Sequence, residues 1–216
     1  LGARRCMTIG AVILGLGYLL LGIPSDNVAL LYGAMGVIVV GNGLFKSNAA
    51  NLVRRIYEGD DAKIDSAFTL YYMAVNIGST FSMLLTPWIA QRWGWHAAFA
   101  VCCAGLVLGL LNYLLMRRTL DHVGSVPDDA PINWGKLGTV LGVGFALVFV
   151  VSFVLQHGDI ARALVWIAGA VILAIFVWLI AKSDPGERSG LIVALILTIE
   201  TILFFIFYQQ MSTSLT

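Results

Sequence analysis

The sequence predicts an all-α protein that crosses a membrane many times. Three observations carry this prediction. Hydrophobic residues fill 59% of the 216 positions and charged residues only 12%, whereas a soluble domain carries roughly 25% charge. The uncharged positions gather into runs long enough to span a bilayer. The lysines and arginines fall almost wholly in alternate connections between those runs. The same composition excludes a disordered chain, which would be poor in apolar residues and rich in net charge. A net charge of +1, with no basic patch standing out, argues against a nucleic-acid partner.

A spanning helix needs about 20 mostly apolar residues. Uncharged runs occupy 6–25, 27–45, 66–91, 93–116, 137–158 and 163–181, and a seventh at 189–216 is interrupted only by Glu200. The second run resumes past Lys46 and continues to Val53. About seven membrane helices are therefore expected. Transmembrane strands would instead show short segments of alternating polarity. Residues 1–5 read as the end of a loop and Thr216 falls in or beside an apolar segment, so the sequence is expected to be a piece of a longer protein. Residues 119–136, with Pro127, Asp128, Asp129 and Pro131, read as a flexible linker. The helix pair after it, about 137–157 and 161–181, has almost no interior polar residue and reads as a packing or spacer element.

If the spans alternate in direction, Arg4, Arg5, Arg54, Arg55, Lys63, Arg117, Arg118, Lys136, Lys182 and Arg188 share one side. Only Arg92 and Arg162 fall on the other. Positive residues favour the cytoplasmic side. Residues 1–5, 54–65, 117–136 and 182–189 are accordingly expected in the cytoplasm.

Two charges break the pattern. Lys46 and Glu200 lie well inside apolar spans, where a charge costs at least about 2.5–3.5 kcal/mol. Such groups face a bundle interior or a wet cavity, form a buried pair, or snorkel to an interface. Lys46 lies in Gly41-Asn42-Gly43-Leu44-Phe45-Lys46-Ser47-Asn48, four residues from Asn42 on one helical face. Gly36, Gly41 and Gly43 permit close helix approach or a local irregularity. A cation with two or three amides beside it can bind a carboxylate, and a lysine in a low-dielectric site can change protonation. In the third span Phe68, Tyr72 and Asn76 form a stripe at intervals of four. Asn76 either joins two helices or, with Tyr72, holds a peptide bond. The last span ends in Phe207-Tyr208-Gln209-Gln210 and then Ser212, Thr213 and Ser214, a composition suited to a wet cavity. Cys6, Cys102 and Cys103 have no metal-ligand partners in the sequence and read as packing residues. His96, His122 and His157 read as interfacial or solvated. No HExxH or GxSxG motif suggests an intramembrane enzyme, and no cofactor is expected.

The motif at Gly41–Asn48 resembles the fourth-helix motif of the proton-dependent oligopeptide transporters, a family within the major facilitator superfamily. Phe68-Thr69-Leu70-Tyr71-Tyr72-Met73-Ala74-Val75-Asn76-Ile77-Gly78-Ser79 resembles that family's fifth-helix signature, and Phe207-Tyr208-Gln209-Gln210 its seventh-helix segment. The flavour is that of enterobacterial di- and tripeptide permeases. The resemblance implies a major-facilitator-like bundle. Residues 1–118 would hold helices three to six, 119–136 a cytoplasmic linker, 137–188 an inserted helical hairpin, and 189–216 helix seven. It implies proton-coupled symport of di- and tripeptides across a bacterial inner membrane. A first-helix motif with glutamates and an arginine would precede Leu1, and a helix-ten acid would follow Thr216.

By the same resemblance, Lys46 takes part in substrate binding and proton coupling, and Asn76 hydrogen-bonds peptide backbone beside Tyr72. Phe204 stands where many members place a pocket tryptophan. Tyr208, next to Gln209, stands where many place a coupling acid. That acid is absent here, and Glu200, two turns earlier, is the candidate to replace it. Thr80 departs from the apolar residue usual after the fifth-helix signature. The rival readings are a facilitator-type carrier for an amino acid, nitrate or a drug, and a helical anchor that transports nothing.

Overall fold

The structure, a computed structural model, describes residues 1–120, 128 and 130–214; for Asp61, Leu120, Pro185 and 209–214 it describes the backbone alone. Among the described residues seven helices are long and apolar enough to cross a membrane. They are α1 (Ala3–Gly22), α2 (Val28–Ile56), α3 (Asp61–Trp93), α4 (Trp95–Met116), α5 (Trp134–Gln156), α6 (Gly158–Lys182) and α7 (Pro185–Ser214), with a 3₁₀ turn at Arg117–Leu120 after α4. No strand occurs among the described residues. The all-α class and the seven spans are as the apolar runs indicate.

The helices are longer than those runs. Arg54, Arg55 and Lys63, expected in the connection 54–65, lie inside α2 and α3, and only residues 57–60 join the two helices. A helix has no reason to stop where the hydrocarbon stops. Arg54 and Arg55 fill the last turn of α2, where cations meet the negative end of the helix dipole. Asp60 caps α3: its Oδ1 accepts from the Lys63 backbone N–H at 3.3 Å and its Oδ2 pairs with Lys63 Nζ at 2.8 Å. Gly94 alone separates α3 from α4. Its φ of +85° is open to glycine, its N–H donates to the Ala90 carbonyl at 2.9 Å, and its carbonyl accepts from Ala98 at 3.3 Å.

The chain divides into two units, Leu1–Gln156 and His157–Thr216. In the second, α6 and α7 pack against each other. In the first, α1 packs on α2 and α4, α2 also meets α3 and α5, and α3 packs on α4.

The α1–α2 seam is the tightest of these contacts. Buried residues of α1 recur as Ala3, Met7, Gly10, Leu14, Gly17 and Leu21, alternately four and three apart, which keeps one narrow stripe against a partner helix. A Cβ on Gly10 would stand 2.5 Å from the Phe45 nitrogen, and one on Gly41 would stand 2.5 Å from the Leu14 nitrogen. The backbones meet there with no side chain between them. In a bilayer, where burying apolar surface gives helices little reason to associate, this close packing supplies the attraction. Below the seam, Ala3, Met7 and Leu52 form a small core with Phe45, Ala49 and Tyr113 packed around it.

The other interfaces use single polar contacts. On α2, a Cβ at Gly36 would come within 2.8 Å of the Val148 carbonyl and of Ser152 Oγ on α5, and Ser152 Oγ donates to the Tyr32 carbonyl at 3.0 Å. His96 Nδ1–H donates to the Leu21 carbonyl at 3.0 Å, satisfying one of the orphan carbonyls at the end of α1. Cys103 Sγ donates to the Gly15 carbonyl at 3.5 Å. These two residues therefore tie α4 to α1. Trp88, Trp93 and Trp95 gather near the α3–α4 turn, with the Arg92 guanidinium 4.7 Å over the Trp88 ring, as aromatic residues do at a membrane–water boundary.

Of the segment read as a flexible linker, 121–127 and 129 lie outside the described residues. Asp128 is described, and it is buried. Its carboxylate accepts from the backbone N–H of Arg4 at 3.4 Å and of Arg5 at 3.3 Å, and Arg4 Nε stands 3.9 Å away. The residue preceding α1 is Gly2, which has no side chain to cap the helix. Asp128 performs that task from more than 120 residues away, and a Cβ on Gly2 would collide with it. Arg5 Nη2 adds a bond to the Ala130 carbonyl at 2.7 Å.

Two outcomes are expected for the purified protein. Gly41→Ala should cost about 1–3 kcal/mol through overpacking, while Gly43→Ala, whose Cβ meets nothing within 4 Å, should leave the melting temperature unchanged or slightly raised; thermal denaturation of the two variants side by side checks this. Asp128→Ala should lose about 0.5–2 kcal/mol, with Asp128→Asn recovering most of it, because asparagine also caps helices.

Candidate functional site

The α1 seam fixes the rotation of α2 about its axis. With Gly41 turned to α1, Asn42 lies about 100° and Lys46 about 140° round the helix. Both are exposed. Among the described residues, Lys46 makes no ion pair or hydrogen bond. It stands eight residues before Arg54, which is about 12 Å along the helix. Asn48 faces differently. It is half-buried toward the α1 side, and its Nδ2 donates to the Leu44 carbonyl at 2.7 Å. Ser47 Oγ likewise donates to the Gly43 carbonyl at 2.7 Å. The open face of α2 is thus Asn42 and Lys46, one amide and one cation. Gly36 and Gly41 make close helix approaches, whereas Gly43 lies on open space and makes none.

On α3 the stripe read from the sequence is an open helix face. Phe68, Tyr72, Asn76 and Thr80 line it at intervals of four, with Thr69, Met73 and Ile77 on the adjoining row. Tyr72 is 62% exposed and sits edge-on to Tyr71 with ring centres 5.8 Å apart. Thr80 Oγ1 donates to the Asn76 carbonyl at 2.9 Å, which leaves the Asn76 side-chain amide available. Thr80, part of the polar cluster that the sequence of this span carries, closes the row four residues from Asn76. Lys46, on α2, is not part of this face.

In the second unit, Glu200 is exposed on α7 and has no partner among the described residues. Phe204 and Tyr208, one turn apart, stack with ring centres 5.9 Å apart and planes at 21°. Phe205 meets both of them edge-on. The side chain of Gln209 lies outside the described residues.

Membrane-length helices that carry a cation, amides and tyrosines on open faces define a polytopic membrane protein with the helical architecture of the major facilitator superfamily. Residues 4–216 match the sequence pattern of the POT family, and the chain belongs to that family. It is 42% identical over 216 residues to dipeptide and tripeptide permease A of Erwinia pyrifoliae (strain DSM 12163 / CIP 106111 / Ep16/96). It is 40% identical to dipeptide and tripeptide permease A of Escherichia coli (strain K12). The whole chain aligns in both cases but spans only 44% and 43% of their lengths. Among solved structures it is similar to tetrameric PepTSo2, with TM-score 0.85 and 53% identity, covering 100% of this chain and 47% of that one. It is also similar to a peptide transporter POT in complex with alafosfalin, with TM-score 0.76 and 29% identity, covering 100% of this chain and 45% of that one.

The exposure of this α3 face to water can be measured by thiol labelling after Cys6, Cys102 and Cys103 are replaced. A cysteine at Asn76 is expected to react with a charged, membrane-impermeant maleimide. One at Leu85, on the opposite face of α3 and 49% exposed, is expected to stay unlabelled. Equal labelling at the two positions would contradict a water-facing α3 stripe.

Proposed function

We propose that this chain is part of a proton-coupled symporter of di- and tripeptides in a bacterial inner membrane. Its basic ends, at residues 1–5, 54–65, 117–136 and 182–189, face the cytoplasm. In a chain of the relatives' length, 1–118 serve as helices three to six of the first bundle, 119–136 as the cytoplasmic linker, 137–188 as an inserted hairpin and 189–216 as helix seven. Membership in the POT family and the names of the permeases it resembles support this reading.

The observation that carries the mechanism is the Lys46 ammonium, within a span, exposed, and without an anion among the described residues. A cation at that depth is costly until an anion or water meets it. A peptide carboxylate and a carboxylate of the transporter exchange as that anion. When the peptide takes the lysine, the released acid takes up a proton, so peptide and proton move together. Glu200 on α7 takes part in proton coupling in place of the acid missing at Tyr208. Asn76 and Tyr72 hold the peptide backbone, since an amide and a phenol offer both donors and acceptors. Phe204, Tyr208 and Gln209 take part in substrate binding from helix seven.

Uptake of a labelled dipeptide into proteoliposomes under an inward pH gradient tests this. Lys46→Ala is expected to abolish gradient-driven accumulation; normal accumulation by that variant would sink the mechanism. Asn76→Ala is expected to weaken peptide affinity about five- to tenfold, the worth of one lost hydrogen bond, in a protein that still folds. Competition of the labelled dipeptide by free amino acids or nitrate, but not by peptides, would favour another carrier.

A further inference from the structure

α5 is the first of the two apolar helices that read in the sequence as a packing or spacer pair, yet it has a definite seat. Among the described residues it packs on α2, while α6, the second of the pair, packs on α7 in the other unit. Half-buried positions recur along α5 at Leu137, Val140, Gly144, Val148, Ser152 and Leu155. Spacings of three and four keep them on one side of a helix.

The seam is antiparallel and close. Tyr32, Gly36 and Val40 on α2 meet Ser152, Val148 and Gly144 on α5, each four residues from the next. Ser152 Oγ donates to the Tyr32 carbonyl at 3.0 Å. A Cβ on Gly36 would stand 2.8 Å from the Val148 carbonyl oxygen, and one on Gly144 would stand 3.3 Å from Val40 Cγ1. From Tyr32 to Val40 the matched row runs about 12 Å along the helix. In a bilayer, close backbone approach at glycine and a hydroxyl bonded across to a carbonyl are what hold helices together.

The other end of α5 is tied as well. Asp128 accepts from the backbone N–H groups of Arg4 and Arg5, and the Ala130 carbonyl accepts from Arg5 Nη2 at 2.7 Å, so the approach to α5 is fastened to the start of α1. Gly36 and Gly41 point about 140° apart round α2. α5 and α1 therefore hold α2 from two sides, and Asn42 and Lys46 fall in the wider sector between those sides.

We propose that α5 is a permanent member of the first unit, a brace on the helix that carries Lys46, and that it stays seated on α2 while the transporter alternates. Alternating access proceeds largely by rocking one bundle against another, and a brace must travel with the bundle it braces. For its cycle the inference rests on the transport reading above; for the seat itself it does not.

Cross-linking in the full-length transporter, with its native cysteines replaced, tests this. Val40→Cys with Gly144→Cys places two thiols within reach of a disulfide, and Tyr32→Cys with Ser152→Cys is a second pair at the far end of the seam. Oxidation is expected to close them, read as loss of maleimide labelling. Uptake of labelled dipeptide by oxidised proteoliposomes is expected to match that of reduced ones. Failure of both pairs to close overturns the proposal. So does uptake that stops on oxidation and returns with reductant, because α5 would then have to leave α2 in each cycle. The cysteine-free protein is the control: if it takes up no dipeptide under a pH gradient, the transport reading fails and closure alone judges the seat, whereas a loss confined to the oxidised pairs counts against α5.

Discussion

Bare backbone meeting bare backbone sets the geometry of the first unit. Where Gly10 of α1 faces the Phe45 nitrogen and Gly41 of α2 faces the Leu14 nitrogen, there is no room for even one methyl group. That contact fixes how far α2 is turned about its axis, and the turn decides which side chains look outward. Asn42 and Lys46 follow on the open side, while Asn48 is carried toward α1. The position of Lys46 is thus a consequence of Gly41 and Gly10, five and thirty-six residues away from it in sequence. Among the described residues no partner holds Lys46 in place; the packing of its own helix does.

The bilayer made much of the fold legible. Its thickness demands long uncharged runs, and each of the seven runs is a helix. The stripe on α3 was legible because a helix repeats its faces every three to four residues, whatever the solvent. The ends of the helices were less so. Charged residues mark the end of hydrocarbon contact and not the end of hydrogen bonding, so α2 continues through Arg54 and Arg55, and α3 begins at Asp61. Helix-to-helix faces were hardest to read. In a soluble helix the polar side identifies the buried one. In α1, apolar nearly all round, the stripe from Ala3 to Leu21 differs from its neighbours only in shape. Glycine was a partial guide: Gly36 and Gly41 mark seams, Gly43 does not.

Asp128 shows what pattern reading misses. Flanked by proline and a second aspartate, it has the composition of a solvated linker. Its burial follows from a vacancy elsewhere, the uncapped start of α1 behind Gly2. Local sequence at either site is silent about the other. Only the folded chain brings the carboxylate to the two amides, and the arginines that surround it become a cluster by the same event.

The Gly94 turn has a mechanical consequence. With one residue and two bridging hydrogen bonds between them, α3 and α4 have no slack at that end. They can neither slide past each other nor separate there; they can only pivot like the arms of a compass. The arm bearing Tyr72 and Asn76 is therefore pinned at a joint whose other arm, α4, is held to the carbonyls of α1 through His96 and Cys103.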